Sequence, residues 1–474
     1  MKHQPSPPPT SSRKPSAPAA DSLAKVTPAR AAAFTILSHV AQNKGHSDEL
    51  LHSHHTAALA PDDRNLTTAL VMGVLRWQIA LDAQIASLLA RPGQQLEAAV
   101  AIVLRLGAFQ LLHLDRIPAH AVLNESVELC RAAGHPHATG MVNAILRKLA
   151  AKHPASQTRH VERRTLPIYE SPAAFAQRLA HPLWLVERWV AAYGRDAALA
   201  ICEYGQRESR SGSLFPATPP IDNPADQPNL ATPGPDAAPA LGLTPFPMDD
   251  GSRLIAELAA AALPSVASRP RVWDACAAPG GKTLVLAQRL PKAVILATDI
   301  SSRRLTETAA RFHNHPCAAN IHTAVADAST SAGAMPGTHF DLILCDVPCS
   351  GTGTIARNPE IRHRLKPADL ARHAARQRAI LLAAVQRLAP GGRIVYSTCS
   401  LEPEENEQVV ESVINESGLR RLPIQPLFAR LVGSGILSAD AFPQLASAAR
   451  DHALRTLPGI HPCDGFYASI LVRD

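Results

Sequence analysis

The sequence predicts two folded bodies of different class, a helical one followed by an α/β one, and three observations carry that expectation. Apolar residues recur at helical spacing from Ala33 to about residue 150. Prolines then crowd residues 209–247, at 216, 219, 220, 224, 228, 233, 235, 239, 245 and 247, a density of missing N–H donors that no strand core tolerates. From residue 271 the period changes to short apolar runs alternating with helical stretches, the signature of a doubly wound α/β sheet. A chain of 474 residues has room for about two or three domains.

Composition narrows the partners. The formal net charge of +7 favours a polyanion. No apolar run approaches the ~18 to 20 residues of a membrane-spanning helix, so no membrane partner is expected. The opening Met1-Lys2-His3-Gln4-Pro5 tract is proline-rich rather than apolar, so no secretory signal is read and a cytoplasmic location is expected. The eight cysteines (130, 202, 276, 317, 345, 349, 399, 463) form no regular framework, which points to thiol chemistry rather than disulfides. Cys345 and Cys349 lack a second Cys or His pair at ligand spacing, so no metal is expected. The chain is expected to act as a monomer.

Residues 1–24 are Pro, Ser and Ala with few large apolar groups and read as a disordered tail. Thr27-Pro28 supplies an N-cap and a proline at the first helical position for a helix carrying Ala33, Phe34, Ile36, Leu37 and Val40. Asp62-Asp63-Arg64 puts acids at the start of a second helix, in which Leu66, Leu70, Gly73, Val74 and Trp77 share a face and Gly73 permits close approach. Helical patterns follow over 96–114, 121–132 and 141–150, with Gly134 and Pro136 in the last gap. These make a helical domain over 25–150. Weaker helical patterns with Trp184 and Trp189 lead into the proline-rich stretch, together a connector and linker over 151–250.

Residues 251–474 hold the α/β domain. Asp249-Asp250-Gly251-Ser252 caps an Ala- and Leu-rich helix to Leu263. Val272-Trp273-Asp274 is a strand running into the loop Ala275-Cys276-Ala277-Ala278-Pro279-Gly280-Gly281-Lys282-Thr283 and a helix. Strand 294–298 ends at Asp299, and strand 321–325 is followed by Asp327. The run from Phe340 to Cys345 ends in Asp346-Val347-Pro348-Cys349-Ser350-Gly351, and Arg393-Ile394-Val395-Tyr396 stops at Ser397-Thr398-Cys399. A closing strand covers 465–472. The C-terminal edge of a parallel sheet is where ligands bind, so these endings place two thiols and three further acids within reach of substrate.

Three ligands compete for the glycine loop. A dinucleotide site needs G-x-G-x-x-G, which is absent. Gly281-Lys282-Thr283 matches the end of a phosphate-binding P-loop, but Cys276 stands at its first glycine and Pro279 removes a donor. S-adenosyl-L-methionine fits better: its carboxylate suits a helix N-terminus and Lys282, its ribose hydroxyls suit Asp299, and its adenine amino group suits Asp327.

Residues 274–283, Asp346-Val347-Pro348-Cys349-Ser350-Gly351-Thr352-Gly353 and Tyr396-Ser397-Thr398-Cys399-Ser400-Leu401-Glu402-Pro403-Glu404-Glu405-Asn406 resemble the motifs of RNA (cytosine-5)-methyltransferases. Segments 105–112, 117–125 and 142–148 resemble the RNA-binding helical domain typified by NusB. Together, over about 25–205 and 248–474, they are similar to the RsmB/Sun family that acts on 16S ribosomal RNA. The resemblance implies an all-α NusB-like domain and a Rossmann-like methyltransferase domain. It further implies cofactor contacts at Cys276–Lys282, Asp299, Asp327 and Asp346, with Cys399 as nucleophile. Cys349 is read as the base that frees the product and Asp346, protonated or sharing a proton with N3, as a stabiliser of charge on the ring. His120, Asn124, Asn143 and Arg147 are polar groups amid apolar helices, ordinarily core or cap hydrogen bonds. Arg105, Arg147 and Lys148 are the better phosphate candidates. Family members carry a small α/β subdomain ending in a stretch like Gln-Asp-Glu-Ala-Ser. Here the proline-rich segment takes most of its place and Met248-Asp249-Asp250-Gly251-Ser252 lacks the Gln.

Overall fold

The computed structural model describes residues 26–91, 93–152, 170–207, 214–216, 248–264, 268–313, 315–330, 338–450 and 452–473. The expected tail at 1–24 and most of the 209–247 linker lie outside the described residues. Internal contacts group the chain into two units that divide between Ala180 and His181.

The first unit is helical, with long helices at Pro28–Ala41, Pro61–Ala86, Ala98–His113, Ala119–Ala132 and Thr139–Lys152. One apolar core runs through it, including Phe34, Leu37, Leu70, Val74, Leu104, Leu106, Leu129 and Leu146. Burying such a side chain contributes about 1.5–3 kcal/mol. Gly73 permits the tightest crossing, because a Cβ there would lie 1.9 Å from the Phe109 ring. Pro28 begins its helix as expected, but Thr27 does not cap it. Its N–H and hydroxyl donate instead to Glu125 Oε2, at 3.1 and 3.2 Å, tying the helix start to a neighbour. Pro61–Ala86 is long and apolar enough, by length and composition, to cross a membrane. In this unit it is a packed helix with Leu70, Val71, Val74, Leu75, Leu81 and Ile85 buried.

The second unit is built on a nine-stranded sheet: β1 Arg271–Asp274, β2 Val294–Asp299, β3 Ile321–Val325, β4 Phe340–Asp346, β5 Leu388–Thr398, β6 Arg420–Leu422, β7 Ala449–Arg450, β8 Ala453–Arg455 and β9 Tyr467–Val472. Their order is β3-β2-β1-β4-β5-β9-β8-β7, with β6 pairing β9. Strands β1 to β5 run parallel and β9 is antiparallel to β5. Alternate side chains separate into two cores, Val272, Ile295, Leu342, Leu344 and Val395 on one face, Trp273, Leu296, Ile343, Ile394 and Tyr396 on the other. Because β1 lies between β2 and β4, the strand order reverses there, and a crevice is expected at the C-terminal ends of these strands.

The helix Asp250–Ala262 is capped as expected, with Asp249 Oδ1 accepting from the Ser252 N–H at 2.8 Å. Within the proline-rich stretch the structure corrects the linker reading at one point. Leu214 and Phe215 are buried in the sheet's core, Leu214 N–H donates to Asp250 Oδ2 at 3.3 Å, and Arg253 stacks over the Phe215 ring at 3.9 Å. Two apolar residues among prolines give no periodic signal, so only packing reveals the anchor.

Candidate active site

Strand β1 delivers Asp274 to the sheet edge with 1% of its surface exposed. Its Oδ2 accepts from Thr283 Oγ1 at 2.7 Å, while its buried Oδ1 has no hydrogen-bond partner. Burial, reinforced by nearby Asp346 and opposed by the Thr283 hydrogen bond, pushes the carboxyl up to about 7. The chain then turns through Ala275-Cys276-Ala277-Ala278-Pro279-Gly280. Ala277 N–H donates to Thr298 O at 2.8 Å and Gly280 N–H to Ala277 O at 2.7 Å. Gly280 has φ 101° and starts the helix Gly281–Arg289. A Cβ on it would meet Thr308 at 2.7 Å, so both conformation and space require glycine. Burial pushes the Cys276 thiol well above its usual range.

Lys282 projects from the first turn of that helix onto the end of β4, its Nζ 2.8 Å from Asp346 Oδ2. Burial disfavours the ammonium, but the Asp346 carboxylate outweighs it and raises the proton affinity. Ser397 Oγ donates to Asp346 Oδ1 at 2.8 Å, so Asp346 is held from the helix after β1 and from β5 at once. Asp299, at the end of β2, accepts from Ser301 N–H at 2.8 Å and from Arg304 at 3.0 Å. Asp327 takes the N–H and hydroxyl of Ser329 on one oxygen, at 2.9 and 2.7 Å, and these bonds hold it below the usual carboxylate range.

The two cysteines 50 positions apart meet, Cys349 Sγ standing 3.4 Å from Cys399 Sγ. The hydrogen bond with Cys399, then burial, pushes the Cys349 thiol well above its usual range. Backbone geometry brings the two loops together. Val347 N–H donates to Ser397 O at 3.0 Å, and Gly353 N–H to Cys399 O at 2.9 Å.

A residue with no assigned role in the sequence reading does more. Glu405 is fully buried between the loops; Oε1 accepts from Ser350 N–H at 2.8 Å and from Gln377 Nε2 at 2.9 Å. Its Oε2 accepts from the hydroxyls of Ser350 and Ser400, the residues that follow the two cysteines. Gln377 also donates to Pro348 O at 3.0 Å. The signal in the sequence was a run of acids after the second cysteine, which reads equally well as a solvated helix start. The segment before it is anchored too. Glu402 is paired with Arg188 at 2.7 Å and accepts from Trp189 Nε1 at 3.1 Å.

Cys276, Lys282, Asp346, Cys349 and Cys399 therefore gather where β1, β4 and β5 end, with Asp299 and Asp327 at the next strand ends. In the helical unit the phosphate candidates separate. Arg105 is held by Asp82 through two bonds of 2.6 and 2.8 Å, which corrects its reading as a phosphate ligand. Arg147, bonded to Asn143 at 3.2 Å, and Lys148 are exposed. His120 and Asn124 are exposed on one face of their helix rather than buried as core hydrogen bonds.

Family models match both parts of the chain, the 16S rRNA methyltransferase RsmB/F model over residues 263–472 and the NusB family over residues 27–151. The ribosomal RNA small subunit methyltransferase B of Xanthomonas campestris pv. campestris is 32% identical over 481 residues, covering 96% of this chain and 99% of the relative. The probable ribosomal RNA small subunit methyltransferase B of Bacillus subtilis is 30% identical over 423 residues, covering 83% of this chain and 89% of the relative. In fold, the crystal structure of PH0851 matches with a TM-score of 0.67 at 19% identity, covering 94% of this chain and 99% of that one.

Proposed function

The chain belongs to the RsmB family of S-adenosyl-L-methionine-dependent ribosomal RNA methyltransferases, and from that membership we propose that it methylates C5 of a cytosine in 16S ribosomal RNA through a covalent bond from Cys399 to C6. The observation that carries this reading is the 3.4 Å contact between the sulfurs of Cys349 and Cys399 at the sheet edge.

S-adenosyl-L-methionine supplies an electrophilic sulfonium methyl group when bound. The residues present fit it: the 276–282 loop opens a helix N-terminus for its carboxylate, and Asp274 Oδ1 is a buried acceptor still without a partner. Asp299 and Asp327 each keep acceptor capacity beyond the hydrogen bonds they already make.

Cytosine C5 is too weak a nucleophile to take a methyl group directly. Addition of the Cys399 thiolate at C6 moves the ring π electrons to C5 and makes that carbon the nucleophile that methylation requires. Asp346, held by Lys282 and Ser397, shares a proton with N3 and so neutralises the charge that builds on the ring. After transfer the C5 proton must leave as the C6–S bond breaks. Cys349, 3.4 Å from the sulfur that leaves, takes that proton as its thiolate; the Cys399 contact that raises its proton affinity in the resting site is lost once Cys399 is bonded to C6, which lets Cys349 release its own proton to water. The base must be flipped or unpaired to reach these sulfurs. A reducing cytoplasm would keep both as thiols. The division of labour proposed is a helical RNA-binding domain over 25–150, a connector to 250 and catalysis in 251–474, in a monomer.

Loss of each cysteine separates the roles. With 16S ribosomal RNA and cofactor, Cys349→Ala should leave a protein–RNA band on a denaturing gel, because attack and transfer proceed but elimination fails. Cys399→Ala should be inactive without a band. A band from Cys399→Ala that needs Cys349 would reverse the roles; no band from either folded variant would sink the covalent mechanism. Transfer RNA run beside ribosomal RNA tests the substrate.

A further inference from the structure

Far from the cysteines, in the helical unit, two histidines and a glutamate converge from separate segments. Glu97 precedes the helix Ala98–His113, and His135 and His137 flank Pro136 in the turn before Thr139–Lys152. His135 Nδ1 lies 3.0 Å from Glu97 Oε2, and His137 Nε2 lies 3.2 Å from Glu97 Oε1. All three donor groups fall within 4.8 Å of one another. We propose that Glu97, His135 and His137 form a binding site for a divalent transition-metal ion of the zinc type, with water completing the coordination.

Donor chemistry and spacing support this. Two imidazole nitrogens and a carboxylate suit Zn²⁺ and its borderline neighbours rather than the all-oxygen shells of Mg²⁺ or Ca²⁺. Ligands ~2.0–2.2 Å from a tetrahedral zinc are separated by about 3.3–3.6 Å, so the two nitrogen–oxygen spacings already approach a coordination edge. The turn is also fixed in place. His135 N–H donates to Cys130 O at 3.1 Å, Ala138 N–H donates to His135 O at 3.0 Å, and the buried Cys130 thiol donates to His135 O at 3.2 Å. Gly134, at φ 87°, makes the bend. His135 is only partly exposed, while Glu97 and His137 reach solvent, so an ion can enter without rearrangement of the core. No spacing rule could find this site, since Glu97 is 38 and 40 positions from its partners; the expectation of no metal rested on the lack of a second Cys or His pair to join Cys345 and Cys349. A bound ion would staple the start of Ala98–His113 to the turn that aims Thr139–Lys152, the helix bearing Arg147 and Lys148.

The test uses untagged full-length protein, stripped with chelator and dialysed, titrated with Zn²⁺ by calorimetry and with Co²⁺ by visible absorption. One equivalent should bind, with Co²⁺ giving d–d bands of a nitrogen–oxygen site, and Zn²⁺ should raise the melting temperature. The exposed His137→Ala, which removes no core contact, should weaken the site at least tenfold, as should Glu97→Gln, while His52→Ala, just past the helix Ser47–Leu51, should not. Absence of a one-equivalent site, or equal binding by the wild-type protein and His137→Ala, would overturn the proposal.

Discussion

Glu405 holds the loops of both cysteines through donors that all expect a negatively charged acceptor. Glu405→Gln turns an NH₂ group toward them and leaves a buried donor facing donors, so a loss of about 1–3 kcal/mol in stability is expected. Methyl transfer should fall further than stability, since the two thiols lose their fixed separation; urea melts and single-turnover rates measured together check this. Asp274 gives a pH signature. Its carboxyl keeps a proton up to about pH 7 in the folded chain, against an ordinary value of 3.8. The unfolded chain releases that proton first, so this residue lowers stability progressively from about pH 4 to pH 7, and the cost levels off above. Asp274→Asn should abolish the slope and stabilise the cofactor-free protein at pH 8 relative to pH 4.5, on the order of 1–4 kcal/mol, as read from denaturant midpoints. An unchanged slope would mean that the group ionises freely.

The strand ends work only because loops approach one another closely. Gly353, whose N–H donates to Cys399 O, faces Gly465 so tightly that a Cβ would lie 2.1 Å from the Gly465 oxygen. No flexible side chain stands there to yield. Gly353→Ala should therefore cost about 1–3 kcal/mol, and it should displace Cys399, lowering turnover more than cofactor affinity. Calorimetric cofactor binding beside a rate measurement separates the two. Helices and strands of this chain were largely legible, because the period of burial is written in each: Val272, Trp273 and Asp274 read as a strand end, and Asp249 as a cap. Thr27 is the exception, since a hydroxyl before a helix reads as a cap whether or not a distant Glu125 claims it.

Across the whole chain, the +7 charge bears on substrate capture. Binding to ribosomal RNA should weaken about tenfold or more between 50 and 200 mM salt, as phosphate contacts release counterions. Filter binding at several salt concentrations measures the slope. Removing the charge of Arg147 and Lys148 together should flatten it, whereas Arg105→Ala, already neutralised by Asp82, should change it little.

Local chemistry in the sequence determined the class of each unit, the acids at successive strand ends, the glycine loop and the two thiols, because each is announced by neighbours a few residues away. What the tertiary structure alone decided was partnership. Cys349 meets Cys399, Glu405 reaches back to Ser350, Leu214 and Phe215 enter a core from a proline-rich stretch, and Glu97 meets His135 and His137. Those contacts join residues tens of positions apart, and their free energy comes from burial and convergent hydrogen bonds that no local period encodes.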